Sequence, residues 1–171
     1  MNQHELKRNY RITTLAESPA SEDDVVRLWT LEAGLPAEEA RRRLAEVVRV
    51  ATDSAGLLCG ISTAYVDRQE QLELPMWHIR AFVSDSHRAG NLASNLLLAV
   101  RLHVIEEFES GRQPSVPGAV VEVENMGIER VFPQAVWPYN EFVFIGVTPG
   151  GAHLRVFWFE GARIPPRARL Y

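Results

Sequence analysis

Ser86–Leu97 reads SHRAGNLASNLL, and the fold turns on what this stretch does. It follows a β-rich apolar run and opens a long amphipathic pattern, yet its first half is small, polar and glycine-bearing. A helix N-terminus leaves backbone N–H groups unpaired and carries partial positive charge, so a loop feeding a strand into a helix can hold a phosphate. Arg88 adds a charge-assisted donor at the entrance, while Ala89, Gly90 and Ala93 keep side chains out of the way. The plainer account is that Ser86 caps the helix and Gly90 makes a turn, and local chemistry alone favours it.

Working outward, Leu92, Leu96, Val100, Val104 and Phe108 recur every four residues, which predicts a long helix. Upstream, Met76–Val83 reads as a strand with Pro75 at its beginning, and VVRVATDSAGLLCGISTAYV as a hairpin turning at Asp53–Gly56. Before it stand two helices. One starts in Ser21–Asp24 and ends at Gly34; the other follows Pro36, with Leu44, Val47 and Val48 as its apolar side. Arg11–Ala16 is a short strand. Downstream, Gly111–Gly118 is a loop, Ala119–Val123 a buried strand, Met126–Tyr139 a mixed, partly helical segment, and Phe142–Val147 and His153–Phe159 the last strands. A strand–helix–strand passage over Met76–Val123 crosses between parallel neighbours inside an otherwise antiparallel sheet. The expectation is an α/β (α+β) single domain: a mixed, mostly antiparallel sheet flanked by helices.

Composition narrows the function classes. The chain has 171 residues, 46% of them apolar and 23% charged, enough for one core. A net charge of -4 argues against a nucleic-acid or anionic-membrane binder, whose affinity comes from neutralising phosphates. The N-terminal residues contain no apolar signal-like core, and Leu92–Ile105 is interrupted by Ser94, Asn95, Arg101 and His103. The reading is a soluble cytoplasmic protein. A single cysteine, Cys59, excludes an internal disulfide, and the scattered histidines show no zinc spacing, so no metal is expected.

VSDSHRAGNLASNLL resembles motif A of the GNAT superfamily of N-acetyltransferases, in which a strand and a short polar turn lead to Q/R-x-x-G-x-G/A opening a long helix. Arg88 takes the Q/R place and Ala93 the final G/A place, whereas Asn91 stands where the middle glycine is usual; asparagine tolerates left-handed backbone better than most residues. The likeness covers roughly residues 10–162 as an order of elements. It implies a GNAT-like acyltransferase domain over 11–163, between a flexible N-terminus, 1–10, and an extended tail, 164–171. It also implies acetyl-CoA as co-substrate. The pyrophosphate would lie on the backbone of Arg88, Ala89, Gly90, Asn91, Leu92, Ala93 and Ser94, and the pantetheine arm would pair with Ala81, Phe82 and Val83.

Transfer to an amine needs a neutral nucleophile, stabilisation of the thioester oxygen and an acid for the departing thiolate. In many GNAT members that acid is a tyrosine seven residues after an asparagine in the fourth helix; counting from Asn125 reaches Phe132, which cannot donate a proton. Asn125 and Phe132 are then cofactor-side positions. Tyr139, in AVWPYNEF, is the nearest phenol in sequence and the candidate acid, although packing beside Pro138 and Trp137 is the plainer reading of it. Glu122 and Glu124 alternate with Val121 and Val123 and share a strand face, either as a solvent-facing pair or as a base acting through water. The aromatics of AVWPYNEFVFIG either wall an acceptor pocket or cover the sheet end.

The implied activity is acetyl transfer from acetyl-CoA to an amine of a small molecule or a protein. The alternatives are a non-catalytic acyl-CoA-binding or sensing protein of the same fold, and an interaction protein that has lost the cofactor. The exposed ends of a mixed sheet admit a homodimer.

Overall fold

The computed structural model describes residues 10–88 and 90–164. The expected N-terminal segment up to residue 9, the tail beyond Ile164, and Ala89 of the loop lie outside the described residues. The elements are β1 (Arg11–Thr13), α1 (Glu22–Leu31), α2 (Ala37–Arg42), β2 (Val47–Thr52), β3 (Leu58–Gln69), β4 (Leu74–Val83), α3 (Leu92–Glu109), β5 (Gly118–Val123), α4 (Met126–Val131), β6 (Val143–Val147) and β7 (His153–Trp158). The strands form one sheet in the order β1-β2-β3-β4-β5-β7-β6, mixed because β4 and β5 run parallel. Among the described residues, no helix is long and apolar enough to cross a membrane. Residue contacts gather into two compact units: residues up to Ala64 with Arg80–Val100, and Tyr65–Ile79 with residues from Arg101 on.

In the first unit, β1, β2 and β3 pair antiparallel, with Val50 opposite Ile61 and Ala51 opposite Gly60. Successive strand residues point to opposite faces. Val50 and Ile61 accordingly join Val25, Val26, Leu28, Trp29 and Ala40 of α1 and α2, while Ala51 and Val83 join Leu92 and Leu96 of α3; Cys59, at the register shift between Ala51 and Thr52, turns to this second core as well. The capping of α1 follows its sequence: Asp24 N–H donates to Ser21 Oγ at 3.2 Å and Ser21 N–H to Asp24 Oδ2 at 2.9 Å. The Ser21 N–H and then the Ser21 hydroxyl, both donating to Asp24 Oδ2, hold the Asp24 carboxyl below its usual range. Beyond the helix, Gly34 takes φ +68°. The second helix is shorter than its apolar pattern suggests. Arg43–Glu46 tightens into a 3-10 turn, and Val47 and Val48 begin β2 because β-branched residues favour a paired strand.

In the second unit, β5 pairs with β7 from Gly118↔Trp158 to Val123↔His153, and β7 pairs in turn with β6. Met76, Val120, Leu154 and Val156 form its buried cluster. In the parallel register of β4 with β5, Trp77 stands opposite Ala119 and His78 opposite Val120. β3 continues three residues past its expected end at Val66, and β4 begins one residue before Pro75, so DRQEQLELP is mostly strand and a tight turn with Glu73 at φ +57°. The helical stripe of α3 is buried as its period requires: Leu92, Leu96, Val100 and Val104 are at most 1% exposed.

Candidate functional site

The first unit carries the strand–loop–helix passage. Ser84 N–H donates to the Cys59 carbonyl at 2.9 Å, and the Ser84 hydroxyl meets His87 Nδ1 at 2.9 Å. Ser86 Oγ reaches the same nitrogen at 2.8 Å, and His87 Nε2 faces Asp53 at 4.0 Å. This network braces a 3-10 turn over Asp85–His87. Ser86 is therefore part of that turn and does not cap α3, which begins at Leu92 with the Asn91 carbonyl accepting from Asn95 N–H at 2.9 Å. The capping account fails on this geometry.

Arg88 stands at the rim, its side chain 52% exposed and paired with Asp85 at 2.6 Å. Its Nε also donates to the Val83 carbonyl at 3.3 Å. Gly90 has φ +125°, and a Cβ placed there would meet nothing within 4 Å. The left-handed burden thus falls on Gly90; among the described residues, the non-glycine positions of positive φ are Glu73 and Glu141, not Asn91. Asn91 is exposed, Leu92 belongs to the core, and Ala93 and Ser94 are half-buried. In β4, Phe82 and Val83 pack into the two cores of the unit, while Ala81 is exposed. The cleft of about 360 Å³ on this unit is lined by Tyr10, Arg11, Pro19, Thr52, Asp53, Ser54 and Gly56, none of them among the expected site residues.

The second unit carries the remaining candidates. Glu122 and Glu124 are both exposed, but β5 ends at Val123, so strand alternation does not reach Glu124. Asn125 is the N-cap of α4, its Oδ1 accepting from Gly127 N–H at 2.8 Å. Phe132 closes that helix, and its carbonyl accepts from the Trp137 indole at 3.1 Å. The AVWPYNEF segment divides its aromatics sharply. Trp137 and Phe142 are buried at 8% and 0%, whereas Tyr139 is 77% exposed, so it does not pack as the plainer reading has it.

Two arginines hold this segment, and the sequence reading assigned neither a role. Arg155, 2% exposed, donates to the carbonyls of Gln134 and Ala135 at 3.0 and 3.4 Å and lies 4.3 Å from the Trp137 ring centroid. Burial pushes its pKa down, opposed by the Glu129 carboxylate. Arg101 of α3 pairs with Glu141 and stacks 4.0 Å from the Phe157 centroid. A charged residue interrupting an apolar helix or a buried strand was the available signal for both.

Among the described residues, no group of three His, Cys, Asp or Glu side chains is placed to hold a metal ion. No family model and no curated protein matches the sequence. Solved structures do match. A protein of Acinetobacter baylyi ADP1, provisionally described as an acetyltransferase, aligns over 94% of this chain and 98% of its own, at TM-score 0.62 and 12% identity. A GNAT-family acetyltransferase of Streptococcus pneumoniae covers 88% of this chain and 99% of its own, at TM-score 0.53 and 12% identity. The chain has the GNAT fold. Arabidopsis thaliana NAA60, solved in complex with acetyl-CoA, is also similar, covering 88% of this chain and 100% of its own at TM-score 0.55 and 15% identity. At such identities the likeness speaks for the GNAT fold alone, and activity has to be argued from chemistry.

Proposed function

We propose that this protein transfers an acetyl group from acetyl-CoA to an amine of a small molecule or a protein. The observation that carries the reading is Gly90: its φ of +125° and the open space beside it leave the backbone ahead of α3 approachable, with Arg88 at the rim. Such a loop suits a pyrophosphate, which the amides from Arg88 to Ser94 would hold. The backbone of β4 over Ala81, Phe82 and Val83 is the stretch proposed to pair with the pantetheine arm. Asn125 and Phe132 complete the proposed cofactor set.

In this reading acetyl-CoA supplies the activated acyl group, and the chain supplies position and proton transfer. The exposed phenol of Tyr139 is the proposed acid for the departing thiolate. Glu122, with Glu124 as the second candidate, is the proposed base for the ammonium proton, acting through water. Chemistry on acetyl-CoA and a single buried cysteine suit a cytoplasmic protein.

Calorimetry with acetyl-CoA tests the binding part, and no heat at millimolar ligand would sink it. A second reading, an acyl-CoA sensor without turnover, is favoured by Phe132, which has no proton to give and whose carbonyl is occupied by Trp137. Release of the CoA thiol across a panel of primary amines separates the two. Tight binding with no release on any amine selects the sensor.

A further inference from the structure

Trp137–Phe142 closes on itself: Glu141 N–H donates to the Trp137 carbonyl at 2.9 Å, and Trp137 N–H to the Phe142 carbonyl at 3.0 Å. Trp137, Asn140 and Phe142 are buried at 8%, 4% and 0%, so the turn is anchored from below and Tyr139 stands out of it. Glu141 occupies φ +56°, a conformation in which glycine is the cheaper residue. Turn formation alone gives no reason for a glutamate there. Its carboxylate supplies one, because it pairs with Arg101, whose side chain is only 12% exposed, lies on Phe157 and has a buried Nε without a hydrogen-bond partner. At the other end of the segment, Arg155 holds the carbonyls of Gln134 and Ala135. The segment is therefore gripped on both sides of Tyr139.

We propose that Arg101 and Glu141 are positioning residues: their ion pair sets the backbone of the Trp137–Phe142 turn and thereby the direction in which Tyr139 is presented to the departing thiolate. The functional half rests on the acetyltransferase reading above. A purely structural role would be served as well or better by glycine at position 141, which relieves the strained φ; a role in presentation would not. Arg101 is 12% exposed and fixed against the Phe157 ring, whereas the Glu141 carboxylate is 62% exposed, so the shielded guanidinium is the fixed end to which the turn is tied.

The test uses the full chain and the variants Glu141→Gly, Arg101→Met, Tyr139→Phe and Arg101→Met/Tyr139→Phe. Chymotrypsin is the first probe, because it cleaves after an exposed aromatic only where the flanking backbone can open. Glu141→Gly is expected to be cut after Tyr139 at least about tenfold faster than the wild type, with cleavage at other aromatic sites and the thermal midpoint unchanged. Equal cleavage rates would overturn the latch, and Glu141→Gly decides this even if Arg101→Met folds poorly. The second probe is kcat against KM on whichever panel amine releases CoA fastest. Arg101→Met is expected to lower kcat about as far as Tyr139→Phe, to leave the acetyl-CoA KM unchanged, and to add nothing to Tyr139→Phe in the double variant. Additive losses would overturn the coupling to Tyr139. If no amine is turned over, the acetyltransferase reading falls while the proteolysis result still decides the latch.

Discussion

Arg88 already has partners before any ligand arrives: the Asp85 carboxylate at 2.6 Å and the Phe82 ring at 5.9 Å. Phosphate oxygens would have to compete with Asp85, so two substitutions should move affinity in opposite directions. Arg88→Glu is expected to weaken acetyl-CoA binding by about 10- to 100-fold, the worth of a charge-assisted bond, at an unchanged thermal midpoint. Asp85→Asn should tighten it several-fold; calorimetry on both variants is the check, and unchanged affinity in both would remove Arg88 from the phosphate role. Tyr139→Phe should lower turnover and spare acetyl-CoA affinity. Of these residues, the loop position of Arg88 and the turn at Gly90 were legible in the sequence because the loop chemistry is local. Tyr139 was not, since a tyrosine beside Pro138 and Trp137 has the same composition whether it packs or projects.

The elements add constraints that no single residue reveals. Gly118 stands opposite Trp158 of β7: a Cβ there would lie 2.4 Å from the Phe157 carbonyl oxygen, a backbone atom that cannot move aside without shifting the paired strand. At Gly60 the nearest atom is Leu96 Cδ1 at 2.7 Å, the tip of a flexible side chain, followed by the Phe82 carbonyl oxygen at 3.3 Å. Gly60→Ala is thus expected to cost about 1–3 kcal/mol and Gly118→Ala more, and the losses of Gly60→Ala and Leu96→Ala are expected to be less than additive in the double variant. Urea midpoints on the variants measure this. In α2, hydrogen bonds from Arg42 and then Arg43 hold the Glu39 carboxyl at about 2 against an ordinary 4.5. A depressed carboxylate stabilises the fold fully above its unfolded pKa, and that contribution is lost as pH falls from about 4.5 toward 2. Glu39→Gln should flatten this part of the acid limb, read from denaturation midpoints across that range. The order of elements was legible because hydrophobic periodicity is local. The boundary of α2 was misread because Val47 and Val48 suit a helix face and a strand equally, and only pairing with β3 decides.

For the whole molecule, the boundaries between the two compact units fall inside β3, β4 and α3, after Ala64, Ile79 and Val100. A cut through a paired strand would leave ladder groups unsatisfied, which is why the chain is one domain built on a single sheet. If the proposed function holds, acetyl-CoA at about 100 times its dissociation constant should stabilise the native state by about 2.7 kcal/mol, because a ligand of the folded chain alone shifts the equilibrium by mass action. Thermal unfolding with and without acetyl-CoA checks this, and coincident transitions at millimolar ligand would count against the proposed function. The amino-acid sequence by itself determined the succession of strands and helices, the caps of α1, and the glycine-bearing loop ahead of α3. Each is written in residues a few positions apart. Only the tertiary structure decided that Arg101 meets Glu141, that Arg155 holds Gln134 and Ala135, and that Tyr139 is thrust outward. Those contacts join residues 20 to 40 positions apart, and no local periodicity encodes which distant partner a buried charge will find.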